Sequence, residues 1–161
     1  MQILLPAAEK VGEVLKQRGE TVAVAESSSG GLIAASLLSV PGASAYFIGG
    51  AVFYTRKSLK ELLALRDDQF EQMRGLTEPT AALLANAIRE RLSTTWAVAE
   101  IGASGPTGSR YGDPAGTSCI AVVGPQNRAR SVKTNQSDRV ANMQLFAQSA
   151  LDLLAQLVLE A

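Results

Sequence analysis

Histidine is absent from this 161-residue chain, and that absence restricts its chemistry more than any other feature of the composition. Without it there is no Ser-His-Asp triad, no Cys-His pair and no ordinary zinc site. Acid–base work near neutral pH must then fall to carboxylates, lysine, tyrosine or water. Cysteine is nearly as scarce: Cys119 is alone, inside the apolar run 118–123, where a small buried hydrophobe is the default. An excess of charge of either sign is missing too, since 15 Lys and Arg are scattered among 15 Asp and Glu. With no basic stripe for a phosphate backbone and no polybasic tail, we expect neither a nucleic-acid nor a membrane partner. No stretch approaches the length of a membrane span, and residues 1–10 lack the charged-then-apolar order of a signal peptide, so we expect a cytoplasmic protein. Repeats, linkers and low-complexity tracts are likewise missing.

What is present is a regular alternation of helical and strand patterns, long enough for one domain, 1–161, with a continuous core. The pattern turns on T-V-A-V-A-E-S-S-S-G-G, which starts at Thr21 and ends at Gly31. Residues 21–25 form a β-rich apolar run that stops at a carboxylate, three hydroxyls and two glycines, after which residues 32–40 read as a helix. Before it lies a helix with Pro6 at its first turn and Gly19 at its exit. After it come a Pro-Gly turn, a second strand over 48–54, short helices over 57–65 and 67–73, and a longer helix from Glu78 to Leu92 with Thr77 as N-cap. A third strand over 96–101 leads into the Gly- and Pro-dense loop 102–116, which at that length is more often functional than idle. Residues 117–123 and 130–134 flank a Gly124-Pro125-Gln126-Asn127 hairpin, and a long amphipathic helix fills 138–159. This alternation predicts an α/β fold, a single three-layer α/β/α domain with a mixed sheet.

Three segments carry candidate chemistry, and all fall at strand ends, where α/β proteins place ligands. The first is Glu26-Ser27-Ser28-Ser29-Gly30-Gly31, where backbone N–H groups and hydroxyls gather at a helix start able to hold an anion or oxyanion. A serine cap with Glu26 as electrostatic cap and the glycines as a simple turn accounts for the same residues. The second is Ser44, followed ten residues later by Tyr54 and then by Lys57 and Lys60. A cation beside Tyr54 lowers the phenol's pKa and lets it act as a base toward a serine; a core-edge tyrosine beside a solvated Lys/Arg run is the equal alternative. The third is the 102–116 loop, with Ser104 and Gly105, together with Ser137-Asp138-Arg139. There Arg139 either clamps a phosphate or pairs with Asp138 or Asp113 at the surface.

A-E-S-S-S-G-G, V-P-G-A-S-A-Y-F-I-G-G-A-V-F-Y-T, G-L-T-E-P, G-A-S-G-P and S-D-R, in this order and spacing, resemble the competence/damage-inducible CinA C-terminal domain family. Each motif alone is common, but five in register from about Ala7 to Leu157 are specific. The resemblance implies an α/β/α fold, hydrolysis of nicotinamide mononucleotide to nicotinate mononucleotide and ammonia, no metal or other cofactor, and a homo-oligomer. It also implies site residues: the serine turn falls on Ser27 and Ser29, the G-S-S serine on Ser44, the strand-end tyrosine on Tyr54 and the G-D-R arginine on Arg139.

Two departures from that family stand out. Its site lysine lies five residues after the tyrosine, where this chain has Leu59; of the two lysines nearby, Lys57 has the better helical spacing to Tyr54. Its threonine before G-I-A-G-P is replaced by Ile101. Two functions follow. One is an amidohydrolase in which Ser44 or Ser27 attacks, Tyr54 with Lys57 or Lys60 moves protons, and Ser28 to Gly31 N–H groups steady the oxyanion, while Arg139 holds the substrate phosphate. The other is a nucleotide-binding module that has lost the chemistry.

Overall fold

The computed structural model describes residues 2–73 and 75–161. Its centre is a mixed five-stranded sheet of β1 (Val22–Glu26), β2 (Phe47–Val52), β3 (Trp96–Ala103), β4 (Thr117–Val123) and β5 (Arg128–Lys133), in the spatial order β2-β1-β3-β4-β5. β1 runs parallel to both its neighbours, while β3, β4 and β5 pair antiparallel. On one face lie α1 (Leu5–Arg18), α2 (Leu32–Leu38) and α6 (Arg139–Glu160). The other face carries α3 (Arg56–Leu63), α4 (Asp67–Gln72) and α5 (Glu78–Leu92). The three-layer α/β/α arrangement with a mixed sheet is the one the sequence pattern predicts. None of the helices among the described residues is long and apolar enough to cross a membrane.

The period-2 side-chain alternation of strands divides the core by residue size. Val22, Val24, Trp96, Val98, Ile120 and Val122 point to the first face, against Leu15, Leu37, Leu151 and Leu154. Ala23, Ala25, Ala97, Ala99 and Ala121 point to the second, and these small side chains let α5 lay Ala81, Leu84, Ala85 and Ile88 close on the sheet. Cys119 sits on this second face as a buried, free thiol, and burial pushes its pKa up, which suits a packing role.

Element ends follow local hydrogen bonding. Thr77 caps α5 by accepting from Thr80 N, and Gly19 ends α1 in the left-handed conformation, φ 65°. β2 stops at Val52, two residues short of the expected end, because Tyr54 N already donates to Ser58 Oγ (3.1 Å), the hydroxyl that also closes the Thr55–Ser58 capping box of α3. β3 runs two residues further than expected because its pairing with β4 extends to Ala103↔Thr117.

The topology fixes where a site can be. The chain leaves β1 over one face through α2 to reach β2, then returns over the other face through α5 to reach β3. The C-terminal ends of β1, β2 and β3 therefore open at one edge of the sheet, at a topological switch point. Since β4 runs against β3 and β5 runs back, the 104–116 loop and the start of α6 meet at the same edge.

Candidate active site

That edge holds a cleft of about 320 Å³, a size that suits a small-molecule ligand. Its floor is the turn after β1. Glu100, level with Glu26 on the neighbouring strand, is fully buried, and its carboxylate lies beneath the turn and organises it. Oε2 accepts from Ser27 N (3.3 Å), Ser29 N (2.9 Å) and Ser29 Oγ (2.9 Å). Oε1 accepts from Ser28 Oγ (2.5 Å) and Ser118 Oγ (2.9 Å). Two backbone N–H groups and the Ser28 hydroxyl, with the Ser29 hydroxyl shared with Glu26 and the Ser118 hydroxyl shared with Ile101 O, offset the cost of burying this carboxylate. Glu26 is the second buried carboxylate. It accepts from Ser29 Oγ (2.7 Å) and from the Ile33 and Ala34 N–H groups at the start of α2 (3.1 and 3.0 Å). Burial raises its pKa, with those hydrogen bonds opposing the shift.

The walls come from three other segments. Tyr54, 70% exposed, follows β2, and its hydroxyl accepts from Arg139 Nη2 at 3.0 Å. Arg139 Nη1 also donates to Gly105 O at 2.5 Å, so the guanidinium ties the first turn of α6 to the loop after β3. Asp138 is turned away to cap α6 through Ala141 N (2.9 Å), and Asp113 binds Ser109 Oγ (2.6 Å). The surface ion pairs open to Arg139 in the sequence are thus absent among the described residues. Buried Asn142 fixes the loop's start by donating to Ser104 O (2.9 Å). Across the cleft, Arg56 stacks over Phe70 (4.1 Å to the ring centroid) and reaches Tyr111 Oη at 3.5 Å. The charged side chains in the wall, among the described residues, are Arg56, Arg110 and Arg139, and none is acidic. A neutral protein has placed cations alone around one cavity, which favours an anionic ligand.

Of the residues singled out from sequence, Ser27, Ser28, Tyr54, Ser104, Gly105 and Arg139 line this cleft together. Glu26, Ser29, Gly30 and Gly31 do not. Ser29 and Glu26 are fully buried in the support beneath the floor, while Gly30 and Gly31 (φ 67° and 99°) turn the chain into α2. Of the N–H groups expected to form an oxyanion cradle, Ser28 to Gly31, those of Ser29 and Gly30 already donate, to Glu100 and to Ser27 O.

Ser44 is not brought to Tyr54. It lies in the 3-10 turn Ala43–Ala45 before β2, and Tyr54 lies after β2, so roughly 17 Å of extended strand separates the two ends within one chain. Lys57 and Lys60 are outside the cleft as well. Lys60 turns to Asp67 in a surface ion pair and lies 5.6 Å from the Phe70 ring centroid, while Leu59 takes the inward position and is 5% exposed. Helix α3 starts one residue after Thr55, which aims Leu59 inward and both lysines out. The cation beside Tyr54 is Arg139. Sequence reading missed Glu100, Arg56, Arg110 and Tyr111. The signal for Glu100 was present, a lone carboxylate in the otherwise apolar W-A-V-A-E-I run, where an acidic group survives only with partners.

A family model described as the CinA C-terminal domain matches residues 5–158. A CinA-like protein of Trichormus variabilis is 37% identical over 150 residues, covering 91% of this chain and 36% of the relative. A CinA-like protein of Prochlorococcus marinus is 37% identical over 155 residues, covering 95% of this chain and 36% of the relative. The chain thus spans about a third of the length of these curated relatives. Among solved structures, a CinA superfamily protein from Klebsiella pneumoniae superposes with a TM-score of 0.89 at 23% identity, over 98% of this chain and 99% of that one. The competence/damage inducible protein CihA from Agrobacterium tumefaciens gives a TM-score of 0.87 at 25% identity, over 96% and 94%.

Proposed function

The chain belongs to the CinA C-terminal domain family, and from that premise we propose that it is an amidohydrolase acting on nicotinamide mononucleotide, releasing nicotinate mononucleotide and ammonia. The observation that carries this reading is the cleft itself, in which serine hydroxyls on the floor face two tyrosines and three arginines on the walls. Arg139, braced by Tyr54 and Gly105, presents a charge-assisted donor set to the substrate phosphate. The exposed rings of Tyr54 and Tyr111 offer faces for a cationic pyridinium. The serine turn then holds a hydroxyl toward the carboxamide. Phosphate binding at a distance from the reacting carbon anchors the substrate by its charged end and contributes to affinity.

One observation favours a second reading. Leu59 takes the inward place of the family lysine, and no lysine among the described residues lines the cleft. A pocket that binds the nucleotide without hydrolysing it would look the same in its walls. Incubating the purified chain with nicotinamide mononucleotide, while following ammonia and the melting temperature, separates the two. Ammonia release with a stabilising shift supports the hydrolase; a shift without ammonia supports the binding module.

A further inference from the structure

An amidase in this cleft needs a nucleophile and a base, and with no histidine in the chain and no lysine among the described lining residues the choice is narrow. We infer that Ser28 is the nucleophile and that Glu100 is the base that takes its proton, an inference that rests on the amidohydrolase reading of the same cleft.

Three hydroxyls reach Glu100, from Ser28, Ser29 and Ser118. Ser29 and Ser118 are fully buried and point only into the support, whereas Ser28 lines the cleft and keeps 5% of its surface exposed. Ser28 Oγ lies 2.5 Å from Glu100 Oε1, within direct proton-transfer distance. Ser27 also lines the cleft, but its hydroxyl has no hydrogen-bond partner among the described residues, so nothing there can receive its proton. The carboxylate is held for the task. Oε2 is pinned by two backbone N–H groups and Ser29, and Oε1 is steadied by Ser118, which leaves the Ser28 contact as its one link to the cleft.

Gly102 supplies an independent observation. A Cβ added there would stand 2.5 Å from Ser28 Oγ and 3.0 Å from Glu100 Oε1. Gly102 lines the cleft, so the absence of its side chain leaves open the approach to this hydroxyl and this carboxylate oxygen.

The chemistry closes without a further reactant except water. Ser28 Oγ forms a bond to the carboxamide carbon as its proton passes to Glu100, and the carbonyl π pair moves onto oxygen. On collapse the C–N bond breaks, and Glu100 gives the proton to the departing nitrogen, which leaves as ammonia. Water then attacks the Ser28 ester with Glu100 as base. The ester C–O bond breaks, the proton returns to Ser28 Oγ, and the acid product ionises.

The test separates this pair from the substrate assignment. The full chain is treated with a fluorophosphonate, which phosphonylates an activated serine and expels fluoride, and the adduct is located by peptide mass spectrometry. In parallel, ammonia is measured with nicotinamide mononucleotide. We expect one adduct, on Ser28, absent from Ser28→Ala, and labelling slowed at least about tenfold in Glu100→Gln, in line with loss of a general base. Should Glu100→Gln fail to fold, Glu100→Asp keeps the charge while drawing it back by one methylene, and the same slowing is expected. Labelling of Ser28 without ammonia sustains the Ser28–Glu100 pair and sinks the deamidase reading. An adduct on Ser27 or Ser44 instead, or ammonia release that survives Ser28→Ala, overturns the pair. Neither labelling nor ammonia overturns both.

Discussion

The floor and the walls of the cleft are built on opposite terms. Under the floor, Glu26 and Glu100 are fully buried and receive hydrogen bonds from three serine side chains and four backbone N–H groups, so the turn is anchored at several points at once. Along the walls, Tyr54 and Tyr111 are 70% and 54% exposed, and Arg56, Arg110 and Arg139 are exposed cations. A group that must meet a reacting atom within fractions of an ångström belongs on an over-determined support, whereas groups that recognise a charge tolerate motion. On the proposed amidohydrolase reading, the difference places chemistry on the floor and recognition on the walls.

The largest expected effect comes from breaking the floor. Gly102→Ala places a methyl 2.5 Å from Ser28 Oγ and 2.9 Å from Thr117 O. Overpacking of this kind costs about 1–3 kcal/mol of stability. It should also lower the rate of ammonia release by about a hundredfold or more through loss of the nucleophile's geometry. A variant that melts earlier yet turns over at the wild-type rate would take the floor out of the chemistry.

On the wall, Arg139→Ala should raise KM for nicotinamide mononucleotide about ten- to a hundredfold, since a charge-assisted hydrogen bond to phosphate contributes on the order of 1.5–3 kcal/mol. The dephosphorylated nucleoside should bind the variant as it binds the wild type. Equal losses for both ligands would move Arg139 to a structural role. Tyr54→Phe removes the hydroxyl that accepts from Arg139 Nη2 (3.0 Å), so it should raise KM about three- to tenfold with kcat held. A collapse of kcat instead would give the phenol a part in proton transfer.

Smaller effects sharpen the comparison. Burial raises the carboxyl of Glu26, so the folded chain keeps that proton to higher pH than the unfolded chain, whose ordinary value is 4.5. The stability this contributes is fully present below that ordinary value and is lost as pH rises through the raised one. Melting curves of Glu26→Gln against pH should therefore fall less steeply than wild type above 4.5, and identical slopes would show that Glu26 is not the titrating group. Lys57→Met and Lys60→Met should change turnover by less than about twofold, because both lysines stand outside the cleft and an exposed ion pair such as Lys60–Asp67 contributes little. A loss of activity in either would mean that α3 turns over in the working enzyme.

The same division explains what could be read in the sequence. The fold was legible because strand alternation, the caps at Thr77 and Gly19 and the glycine turn at 30–31 are local signals that the core reinforces. The cleft-lining serines were legible because they lie where a strand meets a helix. Which of them is engaged was not, since the partner that distinguishes Ser28 from Ser27 is Glu100, 72 residues from Ser28 in the chain. Ser44 and Tyr54 look paired at a spacing of ten, but an intervening extended strand sends them to opposite ends of the sheet. Lys57 looked well placed beside Tyr54 because spacing was counted along an ideal helix. The capping box at Thr55 and Ser58 fixes where α3 begins, and it points Leu59 inward.

The division of labour is tested most directly by steady-state kinetics of ammonia release from nicotinamide mononucleotide by wild type, Glu100→Gln and Arg139→Ala, measured side by side. Glu100→Gln should lose kcat by about a hundredfold or more with KM near wild type, and Arg139→Ala should lose KM with kcat near wild type. Both variants losing the same parameter would contradict the assignment of chemistry to the floor and recognition to the walls.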